Sequence, residues 1–206
     1  MVCESRWSII RLTYRVLASL VIPLALYGCQ KMSAEHQYIH WVENPGNGLL
    51  TTQRVSNYNI KVQYQPDDYR YLLKSNTSVI DPLQLKENRD EAVGMQFYHL
   101  TFSLADPTQD VMKYGVASLD EYQQKIYYFS YRFQYDIELE HNGQKLDCKL
   151  FHFEDTMGLS SSRSFLLGFE NPDTRVQQVS IIINSPWISK EPVELKLNKN
   201  NILLEI

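Results

Sequence analysis

Three stretches of the chain alternate apolar and polar residues with a period of two. Tyr58, Ile60, Val62 and Tyr64 interleave with Asn59, Lys61, Gln63 and Gln65. Tyr98, Leu100, Phe102 and Leu104 interleave with Phe97, His99, Thr101 and Ser103. The longest stretch puts Phe129, Tyr131, Phe133, Tyr135, Ile137 and Leu139 on one side, and Ser130, Arg132, Gln134, Asp136, Glu138 and Glu140 on the other. Successive side chains of a strand point to opposite faces, so each stretch predicts a strand with one buried face.

Asn142-Gly143 follows the longest stretch. That pair favours a two-residue hairpin turn because both positions take positive φ. Placing the turn there sets a register in which Leu139 faces Leu146, Ile137 faces Cys148, Tyr135 faces Leu150 and Phe133 faces His152. On the other side Glu140 meets Lys145 and Asp136 meets Lys149, with Glu138 opposite Asp147 as the one mismatch. A slip by one residue would scramble both faces.

The remaining pattern is shorter. Leu49 to Val55, Ser164 to Phe169, Val176 to Asn184, Val193 to Leu197 and Ile202 to Ile206 read as strands, separated by Pro, Asn and Gly clusters. Tyr38 to Val42 fits either a helical turn or a strand, and Tyr69 to Lys74 is ambiguous. Asp81-Pro82 is a helix cap followed by proline at the first helical position. Ser118 with Glu121 three residues on is a capping box, with Leu119, Tyr122 and Ile126 as the helical face. The fold class expected is mostly β, an antiparallel β-sandwich or strongly curved sheet with one or two short helices.

The first thirty residues change the picture. Arg6, Arg11 and Arg15 precede and border an apolar run from Val16 to Leu26, and Gly28 stands before Cys29. A basic segment, an apolar segment and a small residue before the cut are the layout of a secretory signal peptide. Leu26-Tyr27-Gly28-Cys29 resembles the lipobox of bacterial lipoproteins. The resemblance implies cleavage before Cys29 and lipidation of its thiol. It divides the chain into a leader (1–28), a lipidated tether (29–37) and a single β-rich domain (38–206). Gln30, rather than Asp, after the cysteine resembles lipoproteins sent to the outer membrane, so the cell envelope is the expected location, the outer membrane in preference to the inner.

Composition agrees with that address. Removing the leader takes away three arginines and Glu4, leaving 17 basic and 23 acidic residues. A mildly acidic domain without a Lys/Arg cluster is unsuited to nucleic acid and to adhesion on anionic lipid, so lipid chains would supply the anchoring. With Cys3 in the leader and Cys29 lipidated, Cys148 is a lone thiol, placed by the register on the apolar face.

Candidate chemistry is sparse. No GxSxG elbow, phosphate-cradling glycine loop or paired metal-ligand spacing occurs, so no catalytic residue, metal or cofactor is expected, nor an enzyme. His152 and Glu154 share a strand face and His99 sits on another strand; His152 is expected to pack at the core edge near Phe133. The block from His152-Phe153-Glu154 through Met157-Gly158-Leu159 to Phe165-Leu166-Leu167-Gly168-Phe169 resembles uncharacterised bacterial lipoproteins, with no activity to carry over. It draws attention to the hydroxyl-rich loop 155–163, where Ser161 and Arg163 are candidate ligand contacts. Tyr128 and Trp187 fall outside the inward faces and are candidate exposed aromatics of a binding site. The function expected is that of a lipid-anchored accessory or scaffolding protein that binds an envelope protein partner. The alternative is a surface-exposed binder of glycans or small ligands.

Overall fold

The computed structural model describes residues 33–75, 81–154 and 159–199. The leader with Cys29, the 155–158 part of the hydroxyl-rich loop and the strand expected at 202–206 lie outside the described residues.

Two antiparallel sheets share one core. In chain order the elements are α1 (Ala34–Glu43), β1 (Leu50–Val55), β2 (Tyr58–Gln65), α2 (Asp67–Lys74), α3 (Pro82–Glu91), β3 (Met95–Leu104) and α4 (Leu119–Tyr127). After a π-helix (Tyr128–Arg132) and a 3-10 helix (Phe133–Asp136) come β4 (Ile137–His141), β5 (Gln144–Asp147), β6 (Leu150–Glu154), β7 (Arg163–Glu170), β8 (Gln178–Ile183) and β9 (Val193–Asn198). One sheet has the order β1-β2-β3-β7-β6 and the other β5-β4-β8-β9. Ile60, Leu100 and Phe165 of the first sheet and Leu139, Ile181 and Leu195 of the second belong to one buried cluster. This is the mostly β, two-sheet architecture that the alternation predicts.

The described residues hold four short α-helices where the pattern predicts one or two. α1 takes in residues 34–37, assigned above to the tether. α2 lies over the outer face of the larger sheet, where the Arg70 guanidinium sits 3.5 Å from the centre of the Phe97 ring. Asp68, 1 % exposed, accepts two bonds from Arg89 at 2.6 and 2.7 Å, which ties α2 to α3. Asp81 caps α3 as expected, accepting from the Leu83 amide at 2.9 Å.

The stretch 129–136 is not a strand. Phe129 and Phe133 are fully buried, but the chain around them is helical. A spacing of four satisfies a period of 2 and a period of 3.6 equally, so two inward phenylalanines do not separate strand from helix. Tyr131 and Tyr135, which a strand would have turned inward, are 64 % and 69 % exposed.

The hairpin forms at Asn142 (φ 53°) and Gly143 (φ 76°), and Leu139–Leu146, Glu140–Lys145 and Glu138–Asp147 pair as predicted. The mismatch is relieved by Lys145, whose Nζ reaches Glu138 at 2.7 Å. Beyond Asp147 the predicted register fails. Ile137 pairs with Ile183 and not Cys148, while the chain crosses to the other sheet, where β6 pairs with β7. The crossing is tight. A Cβ on Gly168 would sit 2.9 Å from the Leu150 Cβ and 3.2 Å from the Phe97 ring, so a side chain there would force the strands apart. No atom lies within 4 Å of a Cβ on Gly143, so only its left-handed backbone is at stake there. Gly143→Ala is therefore expected to cost about 1 kcal/mol, read as a lower urea midpoint at unchanged slope.

Candidate functional site

The capping box at the start of α4 is formed. Ser118 accepts from the Glu121 amide at 3.2 Å, and the Glu121 carboxylate accepts from the Ala117 amide at 2.6 Å. Of the inward face expected for α4, Tyr122 and Ile126 pack against the core, but Leu119 is 68 % exposed, and the fully buried residue is Lys125. The Lys125 ammonium donates to the carbonyls of Val111 and Tyr114, both at 2.7 Å, and to the Tyr58 hydroxyl at 3.3 Å. Burial pushes its pKa down to about 8, against the opposing pull of the Asp110 carboxylate.

The segment held by Lys125 is also stitched to the end of the hydroxyl-rich loop. Asp110 pairs with Arg163 at 2.6 Å, and Arg163 further donates to the carbonyls of Ser160 (2.5 Å) and Ser162 (2.7 Å). The Ser161 hydroxyl donates to the Pro107 carbonyl at 2.7 Å, and the Val111 amide to the Ser161 carbonyl at 3.0 Å.

The candidate residues chosen from sequence thus gather around α4 and the 107–114 segment, each with a partner inside the fold. Tyr128 is half-buried, not exposed, and donates to Asp136 at 2.6 Å; burial and that carboxylate raise its pKa. Trp187 is likewise half-buried, its ring 5.6 Å from the Lys125 ammonium. Arg163 is 7 % exposed, so its charge is spent on the loop and Asp110.

The surface beside them carries what the pattern did not reveal. Tyr127, Tyr131 and Tyr135 are 59 %, 64 % and 69 % exposed, on one ridge formed by the end of α4 and the irregular helices. The rings of Tyr127 and Tyr131 are 5.4 Å apart, and the Arg132 guanidinium lies 5.3 Å from the Tyr135 ring. The i, i+4, i+8 spacing is visible in the sequence, but the alternation along the same stretch assigns Tyr131 and Tyr135 to the inward face of a strand. Next to the ridge is a groove of about 710 Å³ between the 110–113 turn, α4 and the π-helix on one side and β6 on the other.

His152 is exposed, not packed against Phe133. It lies on β6 too far along for the hairpin register, and Phe151 takes the place beside Phe133, at 6.2 Å between ring centres. His99 Nε2 lies 3.2 Å from Glu154 Oε2, with Thr101 Oγ1 3.4 Å from His99 Nδ1 and 3.2 Å from Ser164 Oγ. This carboxylate–imidazole–hydroxyl row runs across the outer face of the larger sheet. Among the described residues no group of three or more His, Cys, Asp or Glu side chains could hold a metal. Cys148 donates to the Leu150 carbonyl at 3.0 Å, and burial pushes its thiol pKa up to about 11, which disfavours the nucleophilic thiolate. No described helix is long and apolar enough to cross a membrane.

No family model matches the sequence, and no curated protein matches it. A crystal structure of a DUF4426 family protein from Pseudomonas aeruginosa PAO1 is similar to it, with a TM-score of 0.34 and 10 % identity over 73 % of this chain and 93 % of that one. A likeness of that degree assigns no family.

Proposed function

We propose that the chain is a lipid-anchored protein of the bacterial envelope, preferentially of the outer membrane, whose folded part binds another envelope protein and performs no catalysis. The address draws support from the leader and from the Leu26-Tyr27-Gly28-Cys29 resemblance. The binding reading is carried by the tyrosine ridge. Among the described residues most aromatics are buried, yet Tyr127, Tyr131 and Tyr135 are more than half exposed, and Arg132 lies against Tyr135. Tyrosine and arginine are the side chains that most often anchor protein interfaces, at about 2 kcal/mol or more each. The glycan reading has less support, because Tyr128 and Trp187, the rings it would use, are engaged with Asp136 and Lys125.

The full-length protein, isolated from bacterial membranes, is expected to carry lipid on Cys29 by mass spectrometry and to retain a stoichiometric partner. Tyr127→Ser with Tyr135→Ser is expected to weaken that partner roughly thirtyfold or more at unchanged thermal midpoint. An unmodified Cys29 would refute the anchor. A partner-free wild-type protein would refute the binding role.

A further inference from the structure

β6 is the outermost strand of the five-stranded sheet, so, among the described residues, one side of its backbone faces no other strand. Unpaired N–H and C=O groups at such an edge are a template for a further strand, and proteins usually blunt an edge with lysine, proline or a bulge. The other edges are blunted. β1 carries Arg54, β5 carries Lys145 and Asp147, and β9 carries Glu194 and Lys196. β6 reads Leu-Phe-His-Phe-Glu; its only charge, Glu154, is at its end and reaches back to His99. Among the described residues, the one bond to the β6 backbone from outside strand pairing is from Cys148 Sγ to the Leu150 carbonyl.

The groove runs along this edge. It touches Phe151, His152 and Phe153, three consecutive strand residues whose side chains point alternately to opposite faces. A cavity that meets all three reaches the edge between the faces, where the backbone groups point. The far wall is helical, with Tyr122 and Tyr131. A slot between an edge strand and a helix is suited to an extended peptide, which gains affinity from main-chain bonds and selectivity from alternate side chains.

Charge selects the kind of peptide. Asp110 is neutralised by Arg163 at 2.6 Å. Lys113 is exposed and, among the described residues, has no carboxylate partner; His152 opens onto the same groove. The slot is therefore net positive on a chain whose formal net charge is −4.

We infer that the groove along β6 accepts an extended acidic segment of a partner protein as a sixth strand of the larger sheet. This inference rests on the binding reading above and names its surface and the chemistry of its partner.

The test is selection of a phage-displayed library of random dodecapeptides on the immobilised full-length protein in detergent. Peptides with Asp or Glu among β-branched residues are expected to be enriched. Synthetic copies are expected to bind with a Kd in the micromolar range by fluorescence anisotropy. Lys113→Glu should weaken them at least tenfold, and N-methylation of alternate peptide amides should abolish binding. Enrichment without acidic residues, equal binding to Lys113→Glu, or undiminished binding of the N-methylated peptide would each overturn the inference. Displacement of the peptide by glucuronate at concentrations that leave β-strand controls bound would also overturn it, assigning the groove to a small anion. A partner retained by Lys113→Glu but lost by the Tyr127/Tyr135 variant would refute this inference and leave the binding reading standing.

Discussion

Lys125→Ala is expected to destabilise the protein by about 3–5 kcal/mol, because it strands one buried and one part-buried carbonyl, each worth about 1–3 kcal/mol when unsatisfied, and opens a cavity as well. The carbonyls are those of Val111 and Tyr114, both 2.7 Å from Nζ, and the fully buried side chain leaves water no ready route to replace it. The thermal midpoint should fall by roughly 6–20 °C, read by calorimetry or circular dichroism. Lys125→Met keeps most of the volume and should recover part of the loss, which separates the cavity from the unpaired carbonyls. The pH dependence has a defined sign. Burial pushes Lys125 and Lys199 from 10.5 to about 8, so between those values the unfolded chain binds more protons than the folded one. Stability therefore rises with pH over that window. It falls again above about 10, because Tyr58, pushed up to about 12 by burial, stays protonated in the fold while the unfolded chain ionises. Lys125→Met should roughly halve the rise between pH 8 and 10, leaving the share of Lys199, without moving the fall.

Phe165→Ala is expected to cost about 3–5 kcal/mol, the range for a large buried aromatic. Phe165 is fully buried at the centre of an aromatic cluster. Its ring lies 5.2 Å from those of Phe133 and Phe153, 5.6 Å from Phe151, 5.7 Å from Phe102 and 6.0 Å from Phe129. Those partners come from β3, the π and 3-10 helices and β6, so the vacancy would not close by a single side chain relaxing. Phe165→Leu should cost less, about 1–2 kcal/mol, since the apolar volume is largely kept. Urea unfolding at constant slope is the measurement; equal losses for Ala and Leu would mean that shape, not volume, governs the site.

The parts of the fold that the sequence discloses are those where one local rule operates alone. β2 and β3 alternate because one face is buried, and Asn142-Gly143 turns because both positions need positive φ. Local rules compete at 129–136, where Phe129 and Phe133 suit either a strand or a helix. The burial of both faces around Gln63 and Gln65 was hidden for another reason, since helices from elsewhere in the chain lie over that end of the sheet. The site was less legible still. Arg163 stands out by its loop, but its partner Asp110 is 53 residues away. Lys125 reads as an ordinary solvated lysine on a helix, and only the return of the 111–114 segment makes it an interior cation.

The order of strands also sets a sequence of events. β3 is flanked by β2, which precedes it, and by β7, whose paired residues lie at least 61 positions further along. Joining segments so far apart closes a long loop before any contact rewards it, which makes assembly slow. Until Glu170 has emerged from the ribosome or crossed a membrane, β3 has one neighbour and the backbone groups along its other edge are unpaired. A nascent chain in that condition is prone to aggregate. Any route that delivers this protein must shield it until most of its length has arrived.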